Sequence, residues 1–123
     1  MQKQNTEEQQ QEKKRCSIVI TAYNVEKTIV LAVASALQQT APCEVIVVAD
    51  KPTDNTLDEL KQFGDEIMVV ENEKNVGAGL SRRIGIEHAT GEYVLLLDGD
   101  DYLDKDFIRQ LLVMADMTDA DIV

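Results

Sequence analysis

Four short apolar runs punctuate the chain, and between them apolar residues recur at helical spacing. Ser17-Ile18-Val19-Ile20-Thr21, Glu44-Val45-Ile46-Val47-Val48-Ala49, Glu66-Ile67-Met68-Val69-Val70 and Tyr93-Val94-Leu95-Leu96-Leu97 read as strands. After the first run, Val25, Ile29, Val33, Ala36 and Leu37 share a helical face up to the Thr40-Ala41-Pro42 break. Leu57, Leu60 and Phe63 do the same after Lys51-Pro52-Thr53, with Gly64 as the stop. A third helix is expected around Leu80–Ala89, closed by Gly91, and a fourth that buries Phe107, Ile108, Leu111, Leu112 and Ala115. Asp121-Ile122-Val123 then opens a fifth strand.

Strands recurring about every 25 residues, with helices between them, predict a parallel sheet with helices on both faces. The expected fold is therefore α/β: a Rossmann-like three-layer α/β/α arrangement with a mostly parallel sheet, incomplete on its C-terminal side. The unbroken run 93–97 further predicts a strand buried on both faces.

That strand leads into Asp98-Gly99-Asp100-Asp101. Carboxylates crowded together resist joint ionisation, and a divalent cation removes the penalty. Their hard oxygens suit Mg²⁺ or Mn²⁺, metals that complete their shells with substrate phosphates. In open α/β sheets ligands bind beyond the carboxyl ends of the strands, which is where this cluster falls. By itself the cluster reads equally as a solvated acidic loop, with Asp104 capping the next helix.

Length and charge narrow the setting. The chain has 123 residues, one domain at most, with 12 Lys+Arg against 23 Asp+Glu and a net charge of −11. Residues 1–15 carry no apolar side chain after Met1 and read as a disordered polar lead-in, leaving 16–123 as the folded domain. The acidic balance argues against a nucleic-acid partner, and an anionic small ligand would need a local cation to approach. Cys16 and Cys43 lack metal-ligand spacing and fit a reducing compartment, with a disulfide between them left open. No run reaches the ~18 apolar residues of a membrane span, so a soluble segment is expected.

In a parallel sheet the loops after each strand gather on one edge. Here that edge collects Thr21-Ala22-Tyr23-Asn24, Asp50-Lys51-Pro52-Thr53-Asp54, the 75–79 loop with Arg82 beyond it, and the acidic cluster. Small and hydrogen-bonding groups with one aromatic suit a base and ribose. Asp50 can accept from a base N–H or a ribose hydroxyl; for Asp50 and Asp54 the alternative is turn and helix-capping chemistry. Arg82 or Arg83 could face a pyrophosphate or simply solvent. His88 has no partner motif, and Ser35 and Ser81 lack the context of a nucleophile. Gly77-Ala78-Gly79 misses the third glycine of a dinucleotide fingerprint, and no phosphate-binding G-x-x-x-x-G-K-[ST] loop is present.

The ordered set of these pieces resembles the N-terminal, nucleotide-binding half of family 2 glycosyltransferases of the GT-A fold. The resemblance covers Ser17 to Val123. It rests on Ser17–Asn24, Glu44–Val48, Asn75-Val76-Gly77, Ser81-Arg82, Gly91–Val94 and Leu97–Asp101. It implies that Thr21, Ala22 and Tyr23 wall the base and ribose, that Asp50 contacts the base, and that Asp98-Gly99-Asp100 is the D-x-D motif. Asp98 and Asp100 would then hold Mn²⁺ or Mg²⁺, with Asp100 the direct ligand, and Gly99 and Arg82 would lie along the nucleotide sugar. The implied reaction is inverting transfer from a nucleoside diphosphate sugar, a UDP-sugar, to a hydroxyl of a glycan or other acceptor. The implied setting is the cytoplasm or the inner face of a membrane, in polysaccharide assembly. The chain departs from the family at Lys51-Pro52, where Gly-Ser is usual, and at Arg83, where Asn is usual. No carboxylate is assigned as the catalytic base. A second reading is a non-catalytic nucleotide-binding or protein-interaction module, whose open sheet edge would favour a homo-oligomer.

Overall fold

The computed structural model describes residues 14–119 and 121. Along the chain run β1 (Cys16–Ala22), α1 (Ile29–Leu37), β2 (Cys43–Ala49), α2 (Thr56–Leu60) with a 3₁₀ segment over Lys61–Glu66, β3 (Met68–Glu71), α3 (Ala78–His88), β4 (Tyr93–Asp98) and α4 (Phe107–Thr118). The strands form one sheet in the order β3-β2-β1-β4, and every neighbouring pair is parallel. This is the expected α/β class. Of the predicted lead-in, residues 1–13 lie outside the described residues, as do Ile122 and Val123 of the predicted fifth strand. Arg15 is described: its guanidinium donates to Asp116 and Glu92, tying the start of β1 to α4 and to the approach to β4.

Alternate side chains of the central strands supply two apolar layers. Ile18, Ile20, Val45 and Val47 pack with Ile29, Ala32, Val33 and Ala36 of α1, and with Leu60 and Ile108. In α1 these buried positions fall at i, i+3, i+4 and i+7, the stripe a helix needs to cover a sheet. Val19, Ile46 and Val48 face the other way, beneath Ile84 of α3 and Ala89. Gly85 lets α3 come this close, because a Cβ there would run into Val19.

Three expectations need correction. First, β4 is buried on one face only: Val94 and Leu96 are 39% and 44% exposed. Register sets Leu96 beside Val19 on the α3 side, yet β4 is the outermost strand and α3 lies over β1 and β2. An apolar run reports what a strand can bury, not how far the helical layer above it extends. Second, Val25 stands before the first helix, not in it. Asn24 turns into the left-handed region (φ 51°), and the Val25 carbonyl accepts the N–H of both Thr28 and Ile29. Third, Phe63 falls in the 3₁₀ segment, since α2 stops at Leu60; Gly64, at φ 53°, breaks the helical path as expected.

Candidate functional site

The carboxyl ends of β1, β2 and β4 are held in step beyond their last ladder positions. Thr21 pairs with Asp98 and Ala22 with Ala49. The N–H of Asp50 then donates to the Ala22 carbonyl and that of Gly99 to the Thr21 carbonyl, both at 2.9 Å. The result is an open cavity of about 390 Å³ at this edge. Thr21, Ala22, Tyr23, Asp50, Arg82, Asp98, Gly99 and Asp100 all line it, so the structure brings every sequence-predicted site residue to one place. Val25, Asn75, Gly77, Ala78 and Ser81 complete the wall.

Asp50 is the most heavily engaged of these groups. It is 5% exposed. Its Oδ1 accepts the Val76 N–H at 2.8 Å and the Asn72 side-chain amide at 3.0 Å, and its Oδ2 accepts the Gly77 N–H at 2.9 Å. Burial pushes the Asp50 carboxyl up, but the bonds from Val76, Asn72, Gly77 and Ser81 outweigh it and hold the group below the usual carboxylate range. Asn75 donates to the Asp50 carbonyl, so the whole loop before α3 hangs on this residue. Gly77, at φ 91°, lets the chain enter α3 from that loop. Asn72 and Ser81, joined at 3.1 Å, are partners that sequence reading missed. Ser81 is fully buried, and an unalternated Ser within a helix gives no sign of which neighbour it meets.

The acidic cluster is exposed at the rim. One carboxylate oxygen from each of Asp98, Asp100 and Asp101 lies within 4.8 Å of the others. Three exposed, hard oxygen donors at that spacing fit Mg²⁺ or Mn²⁺. Asp98 is also the hinge of the local network: its Oδ1 accepts from the Thr21 hydroxyl at 3.4 Å and from the Arg82 guanidinium at 3.2 Å, leaving Oδ2 free of both. Gly99 packs so tightly that a Cβ would lie 2.8 Å from the Thr21 carbonyl and 3.0 Å from Val25 Cγ2. Its own carbonyl accepts the Thr28 hydroxyl at 2.9 Å.

The structure separates residues that the sequence left undecided. Arg82 lines the cavity, whereas Arg83 points along the outer face of α3 to Glu87. Asp54 does turn and capping work: its Oδ1 accepts both the N–H and the hydroxyl of Thr56, and its Oδ2 accepts the Glu26 N–H. Asn24 bonds Thr53, so the loops after β1 and β2 are tied together at the mouth. Asp104 does not cap α4 with its side chain; Asp106 precedes that helix and accepts the Thr40 hydroxyl. His88 bonds only the Ile84 carbonyl of its own helix among the described residues.

A parallel sheet in this order, with a polar cavity at its carboxyl edge and an acidic cluster at the rim, defines an α/β domain of the GT-A type. The family model for glycosyl transferase family 2 matches residues 17–123, and the chain belongs to that family. It is 36% identical over 115 residues to the poly(ribitol-phosphate) beta-glucosyltransferase of Bacillus spizizenii, an alignment covering 88% of this chain and 18% of that protein. It is 33% identical over 111 residues to the glycosyltransferase GlyG of Streptococcus pneumoniae, covering 87% and 37%. The crystal structure of S. aureus TarS 1–349 in complex with UDP-GlcNAc superposes with a TM-score of 0.78 at 32% identity, covering 84% of this chain and 31% of that one. The chain thus spans well under half the length of these relatives. Among the described residues, no helix is long and apolar enough to cross a membrane.

Proposed function

We propose that this chain is the donor-binding portion of a metal-dependent glycosyltransferase that moves a sugar from a UDP-sugar to an acceptor hydroxyl with inversion. One observation carries the reading: a single cavity collects a small polar wall, an aromatic, a buried carboxylate, an arginine and an acidic rim. Its volume lies within the roughly 300–1,000 Å³ usual for small-ligand sites. TarS, a relative of matching fold, has been crystallised with UDP and with UDP-GlcNAc, which supports a uridine nucleotide as the donor's carrier.

In this reading Thr21, Ala22 and Tyr23 wall the base and ribose, and the half-exposed Tyr23 offers its ring as a stacking surface. Asp50 orders the loop over the base and presents its remaining acceptor capacity to it. Arg82 takes a diphosphate oxygen, where its fork geometry suits phosphate. Asp98 and Gly99 border the ribose, and Asp98 with Asp100 would hold Mg²⁺ or Mn²⁺. When bound, the metal supplies Lewis-acid stabilisation of the leaving nucleoside diphosphate. Catalytic roles beyond donor binding are assigned to none of these residues.

The test is thermal stability with ligand. UDP with Mn²⁺ should raise Tm, since a ligand at 100 times its Kd stabilises by about 2.7 kcal/mol. EDTA or Asp100→Ala should remove the shift. No shift at millimolar UDP with metal overturns the proposal and leaves a non-catalytic interaction module as the better account.

A further inference from the structure

The end of the sheet opposite the site holds two thiols in register. Cys16 opens β1, Cys43 opens β2, and the two are ladder partners. Both side chains enter the same apolar layer, with 3% and 8% of their surfaces exposed. Paired strands lie about 4.8 Å apart, inside the roughly 4.4–6.8 Å between Cα atoms that a disulfide spans. Cβ vectors on one face of a sheet do not point apart, so a bridge needs only the two Cβ atoms to close to the roughly 3.5–4.5 Å that it spans. We propose that Cys16 and Cys43 form a reversible disulfide that staples β1 to β2.

Cys16 is the attacking group. The Cys16 and Cys43 thiols donate to the Ser17 and Ala41 carbonyls, at 3.7 and 3.3 Å, and the interaction between the two neighbouring sulfurs holds the Cys16 thiol below its ordinary range and pushes the Cys43 thiol above it. Cys16 also stands in the wall of a cavity of about 240 Å³ between β4 and α4, large enough for a small hydroperoxide. The Cys16 thiolate attacks one peroxide oxygen, the O–O bond breaks, and the departing hydroxide takes up the proton lost by Cys16. The Cys43 sulfur then attacks the sulfenic sulfur of Cys16 and expels its oxygen as a second water, with the Cys43 proton. In sum, two thiols and one hydrogen peroxide give one disulfide and two waters. The bridge lies roughly 16 Å along β1 from Thr21, so it acts on stability without touching the cavity, and the proposal does not rest on the donor-binding reading.

The chain is exposed to hydrogen peroxide, alkylated in denaturant and mapped with trypsin. The expected result is a mass about 2 Da lower, loss of both alkylatable thiols, and a linked pair of peptides, Cys16–Lys27 with Thr28–Lys61, all reversed by a dithiol reductant. The oxidised form should melt several degrees above the reduced one, because the link removes loop entropy from the unfolded chain. Cys43→Ala should leave a Cys16 sulfenic acid that dimedone captures. Two alkylatable thiols persisting per chain, linkage between chains, or sulfinic acid accumulating at Cys16 in the native chain each overturns the proposal.

Discussion

Arg82 donates to Asp98 Oδ1 at 3.2 Å, across the gap between α3 and the end of β4. It is the cation facing the acidic rim inside the cavity, and it reaches the same oxygen as the Thr21 hydroxyl. Both partners are partly exposed, so the pair contributes little to stability. Its consequence is positional: the guanidinium is held toward the acidic rim of the cavity, where the proposed function sets a diphosphate.

The first prediction separates the two arginines. Arg82→Ala should weaken UDP binding about ten-fold or more, the cost of a charge-assisted hydrogen bond of about 1.5–3 kcal/mol. Uridine binding should hardly change, because uridine has no phosphate to lose. Arg83→Ala removes only a solvent-facing pair with Glu87 and should leave both affinities unaltered. Titration calorimetry with UDP and uridine on the two variants decides it; equal losses for both ligands would show that Arg82 merely shapes the wall.

A second prediction concerns Asp50 and acid. Asp50→Ala would take the acceptor from the N–H groups of Val76 and Gly77 in the half-exposed loop before α3, at about 0.5–1.5 kcal/mol each. Asp50→Asn keeps one acceptor and should cost less. The native carboxyl titrates below its unfolded value, so its stabilisation is complete above the unfolded pKa and is lost as pH falls through the folded one. Urea melts at pH 7, 5 and 3.5 should therefore show acid destabilisation in the parent chain that is smaller in Asp50→Ala.

Glu44 gives an independent acid-sensitive tie at the other end of the sheet. It accepts the Ser17 hydroxyl at 2.7 Å, the Thr90 N–H at 2.9 Å and the Thr90 hydroxyl at 3.1 Å. Partial burial pushes its carboxyl up, but these bonds prevail and hold it below the usual range. Its contribution is likewise present above the unfolded pKa and lost as pH falls through the folded one. Glu44→Gln should lower stability at pH 7 and flatten the same acid limb, and the effects of Glu44→Gln and Asp50→Ala should add, since the two networks share no partner.

What the sequence disclosed follows from what each signal measures. Strand runs and the roughly 25-residue rhythm are set by the sheet itself, so Ile18, Val47 and Leu97 announced their strands and the edge on which the loops meet. Candidate site residues could be picked out because polar groups at strand ends break the apolar pattern: Thr21, Asp50 and Asp98 each end or follow such a run, and the structure sets them around one cavity. Partners across the fold were not legible. Nothing in the local pattern links Asn72 to Asp50, Ser81 to Asn72, or Arg15 to Asp116, because those contacts exist only once the crossovers are made. The exposure of Val94 and Leu96 escaped for the same reason: apolarity fixes a residue's preference, while its neighbours decide whether that preference is met.

Packing between α3 and the sheet yields a contrast of two glycines in one helix. A Cβ at Gly85 would collide with Val19, whereas one at Gly79 meets nothing within 4 Å. Gly85→Ala should destabilise by about 1–3 kcal/mol as α3 is forced off β1 and β2. Gly79→Ala should be neutral or stabilise by up to about 1 kcal/mol through lost freedom of the unfolded chain. Denaturant midpoints of the two variants, with Gly85→Ala below the parent and Gly79→Ala at or above it, check the helix placement without any ligand.

Gly99 sits at the junction of fold and site, and its substitution should report on both. The glycine between Asp98 and Asp100 does not need a left-handed turn, as its φ lies outside the positive range. It needs space: an added Cβ would stand 2.8 Å from the Thr21 carbonyl, a backbone atom that cannot yield without breaking the Gly99 N–H bond it accepts. Gly99→Ala should therefore displace the 98–101 turn from β1, costing about 1–3 kcal/mol by overpacking. The displacement separates Asp100 from Asp98, so the Mn²⁺-dependent part of the UDP thermal shift should disappear while some metal-independent UDP binding persists on the Thr21–Tyr23 wall. Asp101→Asn, which leaves the turn in place and removes only the third carboxylate, should retain most of the metal-dependent shift. Thermal shifts with UDP, with and without Mn²⁺, measured on both variants, distinguish the two effects; a full metal-dependent shift in Gly99→Ala would show that the close approach to Thr21 is not what positions the acidic rim.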